Sequence, residues 1–361
     1  MCIDQWLTRN WQARGMFARL AYPVAAGLGV PVAVRRRLYL WGLRESRRLP
    51  VPVVVIGSIY VGGTGKTPLA LWLARRLGAH GLRVGLVSRG HGRTGSEARL
   101  VERHADPAEV GDEPALLARD SACPVAVGAD RHAAGRLLLD HDPSLDLILT
   151  DDGLQHYRLA RDIELCVLDG RGLGNGWLLP AGPLREPGSR LASVGALVLN
   201  GTETVPAAAA GRPVFGLRLV ARELYRLQDE HRIEPLSFLK GRRVHALAGI
   251  GDPQRFFAQL CALGAEVLGH ALPDHHRYRR EDLAFDDARP IVMTEKDAIK
   301  CRRFDVADAW VLRVDAEVAP IAAGRNASGS GHPNLDQWII ESLYGPSFVG
   351  HSGLPGVQES A

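Results

Sequence analysis

Lysine is almost absent from this 361-residue chain: four lysines stand against 40 arginines. Against such a bias, each of Lys66, Lys240, Lys296 and Lys300 is a position to check for a role. Cysteine is scarce as well. Cys2, Cys123, Cys166, Cys261 and Cys301 are dispersed, odd in number and form no C-x-x-C pair, which excludes a disulfide framework and a zinc cluster. Cys123, Cys166 and Cys261 lie among apolar neighbours and read as small core residues in a reducing compartment. The net charge is only +4, too little for a protein that coats nucleic acid. With 46% hydrophobic and 23% charged residues, the chain is not mainly disordered, collagen-like or coiled-coil. No internal repeat is visible. At roughly 150 residues per domain the length suggests two domains, with one large α/β domain as the alternative.

The charge is unevenly placed. Residues 1–50 hold nine arginines against Asp4 and Glu45, a local net of +7. Within them, residues 20–34 carry no charge and run directly into Arg35, Arg36 and Arg37. Such a stretch is short for a spanning helix, which needs about 20 apolar residues. A secretory signal would continue into a small-residue cleavage site and not an arginine triplet. The pattern predicts a short apolar anchor with an arginine collar, lying on or dipping into a cytoplasmic leaflet. Pro23 and Pro31 argue against one helix through the whole stretch.

From residue 51 short apolar runs alternate with helical patterns. Strands are expected at 51–56, 83–87, 124–127, 145–149, 163–168 and 196–199, with a helix at 69–77. This predicts a doubly wound, mostly parallel α/β sheet. Residues 202–213 read as a linker into a second, smaller α/β unit. Its strands are expected at 214–220, 243–248, 265–270, 290–294 and 309–314, with a helix at 253–263. A last helix is expected at 337–343. The organisation is thus a membrane-associated segment (1–50), a nucleotide-binding domain (51–205), a smaller α/β domain (206–345) and a flexible tail (346–361).

The most informative stretch is GSIYVGGTGKT, residues 57–67, between a strand and a helix. That context is what a phosphate-binding loop requires. The glycines let backbone N–H groups face phosphate oxygens, and the helix N-terminus adds partial positive charge. The loop residues are Tyr60, Val61, Gly62, Gly63, Thr64, Gly65, Lys66 and Thr67. Lys66 would reach the β- and γ-phosphates of ATP, and the Thr67 hydroxyl would ligate Mg²⁺. The standard pattern wants glycine where this chain has Tyr60, so the loop is a variant. An acidic partner for Mg²⁺ belongs at the end of a neighbouring buried strand, and LDLILTDDG supplies Asp151 and Asp152 there, one of which would hold the ion directly or through water.

The loop alone does not choose between kinase and nucleotide switch. A guanine-reading [NT]KxD motif is missing, since TEKD at 294–297 does not fit the spacing. No extra lysine stands early in the loop, as a partition-type ATPase would have.

Eight strings, the phosphate loop among them, occur in one order: VGGTGKTP, SRGHGR, VGDEPALLA, DDGLQHYRLARD, LLPAGPLREP, AGIGDPQRFF, PDHHRY and MTEKDAIKC. Together they resemble the tetraacyldisaccharide 4′-kinase family, the lipid A 4′-kinases of Gram-negative envelopes, over about residues 15–345. The resemblance implies transfer of the ATP γ-phosphate, with Mg²⁺, to the 4′-hydroxyl of a tetraacylated glucosamine disaccharide 1-phosphate, giving lipid IVA. It implies work at the cytoplasmic face of the inner membrane. No nucleic acid and no obligate protein partner is implied. Asp112 matches the family's catalytic base, and His275 its partner in the PDH motif, with His276 adjacent. Glu113 would assist Mg²⁺ or substrate placement. Arg185 and Glu186 read either as a phosphate clamp or as a structural ion pair. Arg89 would meet the 1-phosphate or be an ordinary loop residue. Lys296 is a weaker nucleotide-site candidate, and Gly249 and Gly251 read as a tight turn. A kinase for another glycolipid, or a membrane-bound switch without transfer chemistry, would use the same loop.

Overall fold

The structure is a computed structural model that describes residues 10–93, 95–321, 333–346 and 348. Most of the expected tail and of the loop at 321–334 lies outside these residues. The elements run α1 (Met16–Leu40), β1 (Val53–Gly57), α2 (Lys66–Ala79), β2 (Val84–Ser88), β3 (Arg99–Val101), α3 (Pro107–Val110) and α4 (Asp112–Asp120). They continue with β4 (Val125–Val127), α5 (Arg131–His141), β5 (Leu147–Thr150), β6 (Ile163–Asp169), β7 (Ala196–Asn200), β8 (Val214–Arg226) and β9 (Asp229–Glu234). The last are β10 (Arg243–Ala248), α6 (Pro253–Ala262), β11 (Glu266–Ala271), β12 (Ile291–Thr294), α7 (Glu295–Cys301), β13 (Ala309–Pro320) and α8 (Leu335–Tyr344).

The described strands make one mixed, mostly parallel sheet in the order β11-β10-β12-β13-β8-β7-β6-β1-β5-β2-β4-β3, with β9 beside β8. β1 lies at its functional centre, parallel to β5 on one side and β6 on the other. Every residue of β1 is buried, because alternate side chains serve opposite layers. Val54 and Ile56 join Leu69, Leu73 and Leu77 of α2, Leu117 of α4 and Ile339 of α8. Val53 and Val55 join Leu138 and Leu139 of α5 and the loop residues Leu154, Leu184 and Leu191. β8 pairs with β7 in parallel and with β13 in a long antiparallel ribbon. Two separate clusters cover the faces of the strands beyond that ribbon.

Two expectations need correction. Helix α1 continues through both Pro23 and Pro31. Each proline removes only one backbone donor, and the remaining bonds of a 25-residue helix hold it together. Among the cysteines, Cys166 and Cys301 are buried, whereas Cys261 is exposed on α6.

Only Ala18 and Ala25 of α1 are buried. A Cβ on Gly29 would lie 2.8 Å from Leu178, so a small-residue stripe rests on the 175–184 loop. Tyr22 meets Trp177 with ring centroids 4.6 Å apart. Leu20, Val24, Leu28 and Val30 remain more than half exposed. The helix is long and apolar enough to cross a membrane by length and composition.

Candidate active site

The chain leaves β1 at Gly57 and becomes helical again at Lys66. Gly65 caps α2 at φ 99°, in the left-handed region that favours glycine. A Cβ there would lie 2.4 Å from Asn200 Nδ2. That amide donates to the Thr64 carbonyl at 3.0 Å, and Asn200 Oδ1 accepts from Arg255 Nη2 at 2.9 Å. The end of β7 and helix α6 therefore brace one side of the loop. On the other side Val61 N–H donates to the Pro183 carbonyl at 3.0 Å. Arg171 donates to the Gly63 carbonyl at 3.0 Å while its guanidinium lies 4.6 Å from the Tyr60 ring centre. The Tyr60 ring is buried and its hydroxyl accepts from Gln12 at 3.1 Å. Tyr60 and Val61 thus shape the loop through packing and backbone, and the tyrosine carries Arg171.

The acidic strand end sits directly beneath. Thr67 donates its hydroxyl hydrogen to Asp151 Oδ2 at 3.0 Å. Asp151 Oδ1 is buried with no hydrogen-bond partner among the described residues. Burial, and then the Glu113 charge, raise the Asp151 carboxyl above the usual carboxylate range. Asp152 is held in the opposite sense. Arg185 Nη1 lies 3.0 and 2.9 Å from its two oxygens, and Lys66 Nζ lies 3.6 Å away. Burial alone would push Asp152 up, but Lys66 and Arg185 overcome it and bring it to about 2. Arg185 is placed by its own N–H, which donates to the Ile59 carbonyl at 2.7 Å. Glu186 is buried and accepts from Gln155 at 2.8 Å and from Tyr157, so it anchors the loop behind the site. Arg89 acts on buried Arg131, which donates to the Asp152 carbonyl at 3.4 Å. Burial, then the Arg89 charge, lower Arg131 to about 10.

Asp112 opens α4, and His275 stands 163 residues away in the turn after β11, at φ 59°. Their contact is His275 Nδ1 to Asp112 Oδ2 at 3.2 Å. His276 is engaged elsewhere, with Asp282 Oδ2 at 2.9 Å. Burial would raise Asp112, but the His275 hydrogen bond and the Lys300 charge prevail and lower it. Lys296 Nζ lies 3.1 Å from Asp274 and 3.5 Å from Glu113. Burial would lower Lys296, and Glu113 and Asp274 instead raise it well above its ordinary value.

A cavity of about 1220 Å³ opens between the phosphate loop and the loops that follow β10 and β12. Gly63 to Thr67, Glu113, Arg171 and Lys296 face it. The two loops nearly touch: a Cβ on Gly251 would lie 2.6 Å from Gly63 N. Asp112 and His275 face a neighbouring cavity of about 700 Å³, which shares Arg103 and Arg119 with the first. Glu113 and Asp112, adjacent in sequence, therefore face different cavities, Glu113 that of the phosphate loop and Asp112 its neighbour.

A family model for LpxK, tetraacyldisaccharide-1-P 4′-kinase, matches residues 17–326. The chain belongs to this family. A tetraacyldisaccharide 4′-kinase from Aromatoleum aromaticum is 50% identical over 318 residues, spanning 87% of this chain and 94% of that protein. One from Azoarcus sp. is 49% identical over 315 residues, spanning 87% and 92%. A crystal structure of the "apo" form of LpxK from Aquifex aeolicus in complex with ATP superposes with a TM-score of 0.74 at 29% identity. It covers 91% of this chain and all of that one.

Several residues of the site escaped the sequence reading: Asp169, Arg171, Asn200, Arg255 and Lys300. Asp169 and Asn200 end β6 and β7, the ligand edge of the sheet, so the rule that found Asp151 also reaches them. Lys300 carried a signal in the lysine scarcity.

Proposed function

We propose that this chain is an ATP-dependent kinase that phosphorylates the 4′-hydroxyl of a tetraacylated glucosamine disaccharide 1-phosphate, giving lipid IVA. The observation that carries the reading is the Asp112–His275 pair, formed across 163 residues and facing the cavity next to that of the phosphate loop. A switch needs no such pair. Asp112 is held ionised and so is ready to take the hydroxyl proton as the sugar oxygen bonds to the γ-phosphorus and the bond from that phosphorus to the β–γ bridging oxygen breaks, releasing ADP. His275, through Nδ1, orients the carboxylate and shares the proton. Lys66 balances charge on the β- and γ-phosphates, with Arg185 beside it. The backbone of residues 60–65 and the start of α2 hold the remaining phosphate oxygens.

Mg²⁺ fits the residues present. The unpartnered buried oxygen of Asp151 and the Thr67 hydroxyl that faces the same carboxylate are the oxygen donors such an ion takes. Asp152 and Glu113 stand close enough in the charge network to support it. Among the described residues no group of three or more His, Cys, Asp or Glu would hold a metal by itself, so phosphate and water would complete the shell. The ion would neutralise charge on the β- and γ-phosphates.

Residues 51–205 and 206–345 are read as two lobes, one bearing Asp112 and the other His275, and the structure has them with the pair in contact. Helix α1 and Arg35, Arg36 and Arg37 are read as the contact with the cytoplasmic face of the inner membrane, where the lipid substrate lies. Replacement tests the roles. Asp112→Ala and His275→Ala should each lower kcat by about a hundredfold or more while ATP affinity stays near wild type. A loss of ATP binding equal to the loss of kcat would contradict the assignment.

A further inference from the structure

Three of the four lysines of this arginine-rich chain gather at the site. Lys66 stands in the phosphate loop, 3.6 Å from Asp152. Lys296 and Lys300 sit one turn apart on α7, Lys296 on the cavity of the phosphate loop and Lys300 on the neighbouring one, and each bridges carboxylates from different parts of the chain. We propose that Lys296 and Lys300 are positioning residues that lock the Asp112–His275 pair in its working geometry. The proposal rests on the reading of that pair as the proton acceptor.

Four carboxylates, Asp112, Glu113, Asp274 and Asp297, converge around the two lysines. Left alone they would repel and spread. Lys300 Nζ lies 3.6 Å from Asp112 Oδ2, the same oxygen that meets His275, and 3.1 Å from Asp297 Oδ1. Asp297 is itself fixed, since its Oδ2 accepts from Thr294 Oγ1 at 2.7 Å and from Gly249 N at 3.1 Å. Lys300 therefore ties Asp112 to the β10 and β12 loops. Lys296 Nζ lies 3.1 Å from Asp274 Oδ1. That oxygen also accepts from the His275 backbone N–H at 3.0 Å. Histidine at φ 59° is in a costly conformation, and this contact holds it there. The second contact of Lys296, at 3.5 Å, is Glu113 next to Asp112. One lysine thus fixes the carboxylate, and the other fixes the turn that presents the imidazole.

An ammonium suits this task better than a guanidinium. It is compact, and its charge serves carboxylates on different sides without a planar slot; Lys296 donates to two of them, and Lys300, whose Nζ has no hydrogen-bond partner among the described residues, acts through its charge. Lys300 is nearly enclosed, at 7% side-chain exposure, and its Nζ lies 5.0 Å from the Tyr278 ring centre.

The test compares Lys296→Met, Lys300→Met and Lys296→Arg in the full chain, alone and combined with Asp112→Asn. Steady-state kinetics, ATP affinity and the thermal midpoint are read for each. Each Lys→Met variant should lower kcat about tenfold to a hundredfold with ATP affinity unchanged. In the Asp112→Asn background the same change should cost little more, because the lysine acts through the aspartate. Lys296→Arg should recover part of the loss. Full kcat in both Lys→Met variants would overturn the proposal, as would an undiminished loss in the Asp112→Asn background. If Lys300→Met fails to fold, Lys296→Gln, on the more exposed side chain, decides by the same criteria. Wild-type kcat in both Asp112→Asn and His275→Ala would instead remove the base reading, and the lock with it.

Discussion

Gly65→Ala is the sharpest perturbation of the phosphate loop. Its Cβ would lie 2.4 Å from Asn200 Nδ2, at a residue whose φ is 99°. Holding alanine in the left-handed region costs about 1–2 kcal/mol. Displacing the Asn200 amide breaks its bonds to Thr64 and Arg255, at about 1 kcal/mol each. The total is about 3–4 kcal/mol, or two to three orders of magnitude in the population of the native loop. Isothermal titration with ATP and Mg²⁺ should show affinity reduced by about a hundredfold or more if the loop yields locally. Thermal unfolding should show a lower midpoint if the loop holds its shape. Gly63→Ala is the control: its nearest neighbour would be Gly251 N at 3.6 Å, an ordinary contact, and its φ is not positive. Its thermal midpoint should stay near wild type. A Gly65→Ala protein with wild-type ATP affinity and midpoint would refute the reasoning, and so would equal destabilisation by Gly63→Ala.

Two further outcomes follow from the geometry. Buried Asp336 pairs with Arg76 at 2.9 Å and His80 at 3.0 Å. Burial would raise its pKa, but the His80 bond and the Arg76 charge lower it. A depressed carboxyl stabilises the fold above its unfolded pKa of about 3.9, and that stability is lost as pH falls through the folded value. Asp336→Asn should therefore be about 2 kcal/mol less stable at pH 7, with the gap closing below about pH 4; a gap independent of pH would contradict this. Replacing Arg35, Arg36 and Arg37 together by Glu should reduce flotation with anionic phospholipid vesicles while ATP affinity is kept. Unchanged flotation would remove the collar from the account.

Much of the nucleotide side was legible from the sequence, because it depends on local order. A buried strand, a glycine loop and an amphipathic helix are contiguous, and Asp151 and Asp152 follow their own strand. The long ribbon of β8 and β13 was legible only in part: strands were expected at 214–220 and 309–314, and their continuations to Arg226 and Pro320 were not. Its polar part, where Arg222 pairs with Asp315 and Arg313 with Glu223 beside a shift in register, hides the alternation that marks a strand. The course of α1 through two prolines was missed because breaker rules weigh one lost donor above a long run of remaining bonds. The Asp112–His275 contact has no local signature at all. It came from the resemblance, since no spacing rule reaches across 163 residues. Lys300 shows the middle case, conspicuous by composition yet without a role until its carboxylate partners were in place.

The account turns on where the terminal phosphate of ATP goes. The direct measurement incubates the purified chain with Mg²⁺, γ-labelled ATP and tetraacyldisaccharide 1-phosphate in detergent micelles, then characterises the lipid by mass spectrometry and phosphorus NMR. The expected product carries one added phosphate, on the 4′-oxygen, and is missing with Lys66→Met. Hydrolysis of ATP with the lipid unchanged, or a phosphate placed on another hydroxyl, would contradict the account.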